Sequence, residues 1–257
     1  MFIYNKENNY SRIANVLYEN NIAIYRFING NFPDYNTLNE QSMRYMQKYI
    51  NMFPQNRIKM AITKGIKRFF YDTETTGTNW RRCSIHQLAA FIEIDGVVVE
   101  KIDMKFSPHE NALIEDGALE VGKVTLEQIQ AYPNWRLQFI ELKKILAKYV
   151  NPFDKTDKFF FVGFKNASFD DDFMKKLFDL NDTGFWLYFW PSSIDVSVLA
   201  AQYLINIRHT MPSFKLHRVA KTLGIPVEDE KLHDAFYDVE LTKAVYEVVS
   251  KFEENLY

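Results

Sequence analysis

The run Phe69-Phe70-Tyr71-Asp72-Thr73-Glu74-Thr75-Thr76-Gly77 changes character halfway along: three aromatic residues give way to two carboxylates and then a glycine. With Ile66 ahead of it, the aromatic half reads as a strand that leads into Asp72, because aromatic and β-branched side chains suit a half-buried pleated surface. Side chains at i and i+2 of a strand share a face, so Asp72 and Glu74 project together from its end, and Gly77 permits a turn. Two carboxylates side by side repel, and each resists ionising without a positive partner. Two readings follow. The pair is either a solvated strand end or part of a site for a cation. Mg2+ suits the second reading, since it takes oxygen ligands and binds one or two carboxylates together with phosphate.

Downstream, Ile85 to Ile94 and Val97 to Phe106 read as strands joined at Asp95-Gly96, a strong signal for a two-residue hairpin. Helical spacing predicts helices over residues 125–131 and 135–150, the second with Phe139, Leu142, Ile145, Leu146 and Tyr149 on one face. Phe159 to Phe164 is unbroken by polar residues, as in a strand buried on both faces. A helix over 168–180, a short strand over 193–196 and a helix over 198–205 follow. Next come a helix over 214–223, ended by Gly224 and Pro226, and a last helix from about Asp234 to Phe252. Three strands followed by alternating helix and strand give an α/β domain around a mixed sheet.

Upstream, residues 1–65 differ in composition and hold twelve of the chain's asparagines. Helical spacing over Ser11 to Tyr18 and Thr37 to Phe53, with a strand candidate over Asn21 to Phe27, predicts an extra N-terminal α+β segment. Its many aromatic residues argue for a folded segment over a disordered tail. The expected division is an accessory segment at 1–65 and a second domain at 66–257. Net charge is −2 over 257 residues, but residues 1–68 hold ten Lys and Arg against four Asp and Glu, or +6, which leaves −8 for the remainder. An acidic body suits a site that concentrates carboxylates around cations. The basic front either offsets that charge against a polyanion or is an ordinary solvated surface. The start has no signal-peptide pattern, no apolar run approaches membrane-spanning length, and the lone Cys83 has no partner for an internal disulfide. These features favour the cytoplasm, or its bacterial or viral (phage) equivalent, over secretion, with no membrane partner.

Two further acidic segments stand where helices begin. Asn166-Ala167-Ser168-Phe169-Asp170-Asp171-Asp172-Phe173 follows the buried strand. A helix N-terminus favours acids, which accounts for Asp171 and Asp172 as surface residues, whereas Asp170, beside the inward Phe169, is able to face the sheet edge. In His233-Asp234-Ala235-Phe236-Tyr237-Asp238, Asp234 reads as the helix cap, His233 as a loop residue just before it, and Asp238 as lying one turn inside.

In that order the three segments resemble the motifs of the DnaQ-like 3′–5′ exonucleases, in their histidine-bearing DEDD (DEDDh) subgroup: D-x-E-T-T-G, N-x-x-F-D and H-x-A-x-x-D. The resemblance spans roughly residues 66–251 and implies a ribonuclease-H-like fold with a mixed sheet flanked by helices. It implies Asp72, Glu74, Asp170 and Asp238 as ligands of two divalent cations, Mg2+ with Mn2+ able to substitute. By the same resemblance His233 is the general base, and Thr75, Thr76 and Asn166 are substrate contacts. The implied reaction is hydrolysis at the 3′ end of DNA, single-stranded for preference, releasing nucleoside 5′-monophosphates. A 3′–5′ exoribonuclease with the same site is the alternative, and a silent nucleic-acid-binding module a more distant one. Residues 1–65 are a candidate docking segment for a polymerase or another replication or repair partner. The sequence departs from the family's pattern at Lys165, where His often precedes the Asn, and at Gln87, where Glu is frequent. Trp80, after the first motif, either stacks on a base or packs on the body. The aromatic run Phe185 to Trp190 is either core or a partner patch.

Overall fold

In the computed structural model, which describes residues 65–250, the aromatic run forms the middle of a nine-residue strand, β1 (Lys67–Thr75). The strand continues through both carboxylates instead of ending before them. Thr73, Glu74 and Thr75 find partners in Leu88, Gln87 and Ile85 of the antiparallel β2 (Ile85–Ile94). The register slips between Glu74 and Thr75, a bulge of the kind that re-aims side chains at strand ends. The hairpin to β3 (Val97–Lys105) turns at Asp95 and Gly96 with φ of 51° and 83°. A two-residue turn with both φ values positive matches the twist of the flanking strands, and glycine adopts such angles without steric cost.

β4 (Phe160–Gly163) pairs parallel with β1, and β5 (Ile194–Asp195) parallel with β4, so the sheet order is β3-β2-β1-β4-β5. The helices are α1 (Asp116–Val121), α2 (Leu126–Gln130), α3 (Trp135–Tyr149), α4 (Asp170–Asp179), α5 (Val196–Tyr203), α6 (Leu216–Thr222) and α7 (Ala235–Val249). Alternation along the sheet sends Phe69, Tyr71, Leu88 and Ala90 to one face, where α3 and α4 cover them with Phe139, Leu142, Phe173 and Phe178. Phe70, Ala89, Phe91 and Val162 go to the other face, under α5, α6 and α7 through Ala200, Val219, Val239 and Val245. Burying each large apolar side chain contributes about 1.5–3 kcal/mol, so both layers are firmly held. By the same alternation Asp72 and Glu74 share the face of Phe70, the face that α7 covers.

α7 is fixed to that face by charge as well. Glu93 of β2, 3% exposed, accepts from Arg68 of β1 at 2.7 Å and from Lys243 of α7 at 2.6 Å. Removing Glu93 would leave Arg68 and Lys243 without their shared buried partner, and breaking a buried pair in this way typically costs about 3–5 kcal/mol.

The mixed α/β sheet flanked by helices is the fold class expected. Several boundaries shift. α4 begins at Asp170 because residues 166–168 form a 3-10 turn. α5 begins two residues early because Asp195 caps it, accepting from the Ser197 N–H at 2.8 Å. α1 was not anticipated: its six residues include Gly117, and no side chain caps it. The helix and strand expectations at residues 11–53, and residues 251–252 of the last helix, lie outside the described residues. Among the described residues no helix is long and apolar enough to cross a membrane.

Candidate active site

Three segments distant in sequence meet beside the end of β1. Asp234 caps α7, its carboxylate accepting from the N–H groups of Phe236 and Tyr237 at 2.9 and 3.2 Å. That cap starts the helix so that Asp238, one turn in, faces the sheet. Carboxylate oxygens of Asp72, Glu74 and Asp238 lie within 4.8 Å of one another. The turn after β1 is closely packed at Gly77, where any side chain would force its neighbours to shift. A Cβ there would stand 2.6 Å from Cys83 Sγ and 2.6 Å from Glu115 Cδ.

The acids disturb one another as crowded carboxylates do. Burial, and then Asp170, Asp238 and Glu74 in turn, push the Asp72 carboxyl well above its ordinary range. Glu74 is pushed up to about 8 by burial and then Asp238 and Asp170, with Lys105 of β3 opposing. Burial raises Asp238 to about 6, against the His233 backbone N–H, which favours the charged form. Burial raises Asp170 to about 7, and the Thr73 hydroxyl opposes the rise. A set of all-oxygen donors that cannot all ionise without a cation fits a hard divalent metal ion.

Asp170 lies outside the tight trio but acts on it. The Thr73 hydroxyl donates to its carboxylate, tying the start of α4 to β1. The neighbouring Asp171 is not the surface acid that helix electrostatics suggested. It is 6% exposed and accepts from the Tyr71 hydroxyl, from Asn166 Nδ2 at 3.0 Å and from Ser193 Oγ at 2.6 Å. Tyr71 precedes Asp72 and Asp171 follows Asp170, so this buried node locks two of the acidic segments together. Thr73, Asp171 and Ser193 were missed in the sequence because their role lies in contacts across the fold. Only Tyr71, as a buried aromatic whose hydroxyl needs a partner, hinted at it.

The remaining expected site residues fall as follows. His233 sits in the loop before α7 with φ of 68°, and no nitrogen of it joins the acidic trio. Burial, then Lys123 and Lys215, lower its imidazole from the ordinary 6.5. Thr75 and Thr76 are buried with their hydroxyls turned into the protein, donating to Gly77 O at 2.8 Å and Leu113 O at 2.7 Å. Asn166, 1% exposed, faces the interior node instead of the cleft. Gln87 donates to Asp103 at 2.8 Å, and the Lys165 side chain is exposed. Trp80 packs against the core with the Arg81 guanidinium 4.2 Å over its ring. The run from Phe185 is split: Phe185, Tyr188 and Phe189 are core, while Trp186 and Leu187 are exposed.

The fold is similar to solved structures of E. coli exonuclease I. The zinc-bound form of that protein with single-stranded DNA is 24% identical, with a TM-score of 0.61, over 75% of this chain and 42% of that one. Its complex with a dT13 oligonucleotide is 23% identical, with a TM-score of 0.59, over 74% of this chain and 42% of that one. The chain thus matches less than half the length of exonuclease I. No curated protein matches the sequence. The sequence model of the RNase_T family, described as exonuclease, matches residues 69–246, a span that holds all four acids and His233. With that match over most of its length, the chain belongs to the RNase_T exonuclease family.

Proposed function

We propose that the chain is a 3′–5′ exonuclease that hydrolyses the last phosphodiester of a DNA strand, single-stranded for preference, with two divalent cations, Mg2+ or in its place Mn2+. The observation that carries this reading is the convergence of Asp72, Glu74 and Asp238 within 4.8 Å, with Asp170 electrostatically coupled to them. That all four carboxylates are kept argues against a silent binding module.

Bound divalent cations would supply Lewis-acid activation of water and neutralise charge on the phosphate and the departing 3′ oxygen. Asp72 feels Asp170 as well as Asp238 and Glu74, and would serve both ions. Glu74 and Asp238 would help to hold one ion, and Asp170 would support the other. His233, whose imidazole is held below its ordinary range by burial and then by Lys123 and Lys215, takes the water's proton. Water attacks phosphorus, the 3′ oxygen leaves, and a nucleoside 5′-monophosphate departs. The last nucleotide lies against the turn that Thr75 and Thr76 build. Their buried hydroxyls favour a shaping role over direct side-chain contact, and the buried Asn166 favours orienting the second motif.

The zinc-bound exonuclease I structure holds single-stranded DNA, and another holds a dT13 oligonucleotide, which supports DNA over the exoribonuclease alternative. The compact unit starting at Ile66 supports a catalytic domain at 66–257. The role of residues 1–65, as a guide for the strand or as a docking segment for a polymerase or other partner, rests only on their charge.

Matched 5′-labelled DNA and RNA oligomers, incubated with Mg2+ or with chelator, test this. The expected result is a ladder shortening from the 3′ end, mononucleotide release, full dependence on the divalent ion, and faster loss of DNA. Equal cleavage of oligomers with a blocked 3′ end would refute exonuclease action, and faster loss of RNA would favour the alternative substrate.

A further inference from the structure

The loop that carries His233 is held from outside by a residue the motifs do not contain. Lys123 follows α1 in a left-handed conformation, φ 54°. Its Nζ donates to the carbonyl oxygens of Leu232 at 3.2 Å and Glu230 at 3.4 Å. His233, which directly follows Leu232, is itself left-handed. Lys123 and His233 line one cleft of about 600 Å³, with Phe236, Tyr237 and Glu240 along its side. The other end of the α1 segment is fastened to the turn after the metal-binding strand. Thr76 O accepts from the Glu115 N–H at 2.8 Å, and the Thr76 hydroxyl donates to Leu113 O at 2.7 Å. α1 is therefore a strut from the turn at Thr76 to the loop at His233.

We propose that Lys123 is a positioning residue: by holding the Leu232 carbonyl directly ahead of His233, and the Glu230 carbonyl shortly before it, it sets where the imidazole stands, and α1 links that position to the turn that receives the 3′ nucleotide. The inference rests on His233 being the base. A side chain held about 1 Å out of place costs up to ~100-fold in rate while leaving ground-state binding alone.

The test compares Lys123→Ala, Lys123→Arg and His233→Ala on 5′-labelled single-stranded DNA at saturating Mg2+. Lys123 is exposed, so both of its variants are expected to fold. Lys123→Ala should lower kcat about tenfold or more with KM within about twofold, and Lys123→Arg should restore most of it. The imidazole Cε1–H resonance of His233, assigned by its loss in His233→Ala, should move in Lys123→Ala and return in Lys123→Arg. Parental kcat in Lys123→Ala beside a slow His233→Ala overturns the proposal. A raised KM at constant kcat also overturns it, in favour of a strand contact. Should His233→Ala keep parental kcat, the base assignment falls, and an unmoved resonance then refutes positioning on its own.

Discussion

Asp72→Asn should lower turnover by about 10³-fold or more while leaving the fold intact. Asp72 is the acid on which the other three press, so its charge is central to any cation the cluster holds. Asparagine keeps an oxygen of nearly the same shape but no charge. Losing about 4 kcal/mol of stabilisation from one ion corresponds to about 10³-fold in rate. The metal-free variant should melt no lower than the parent, because relief of repulsion outweighs any loss. The sign follows from proton linkage. Glu74 is raised from 4.5 to about 8 in the folded state, so between those values the native protein binds more protons than the unfolded chain. Stability of the metal-free protein therefore falls as pH rises through that window. In Asp72→Asn the fall should be shallower. Thermal melts in chelator at about pH 5 and about pH 8 read this directly, and single-turnover cleavage reads the rate. Near-parental cleavage would remove Asp72 from the site.

His233→Ala should slow cleavage by on the order of 10²–10⁴-fold, the usual contribution of a positioned base, while sparing cation binding. The second half follows from geometry, since no imidazole nitrogen belongs to the acidic trio. The ring is lowered from 6.5 by burial and by Lys123 and Lys215, so it is free to accept a proton at neutral pH. Calorimetric titration with Mn2+ beside single-turnover kinetics separates the two effects. Loss of cation affinity in the variant would show that His233 acts on the site's assembly and not on the water.

The strand, the hairpin and the acids were legible because each rests on local pattern: alternation in β1, Asp95-Gly96 in the turn, Asp234 at the cap of α7. The same locality explains what was not read. Asp171 looks like a helix-start acid by position, and only the fold shows Tyr71, Asn166 and Ser193 closing on it. Thr75 and Thr76 look like free hydroxyls beside two acids, yet the returning segment at Leu113 and Glu115 engages Thr76. α1 carries too few residues, and a glycine among them, to announce itself. Its role lies in what it joins.

The central claim is that acids from β1 and α7 hold divalent cations between them. Anomalous diffraction from crystals soaked in Mn2+ locates such ions without reference to activity. The account predicts a manganese peak bounded by the carboxylates of Asp72, Glu74 and Asp238, with a second on the Asp170 side of Asp72. A fully soaked crystal with no peak among these side chains would contradict it.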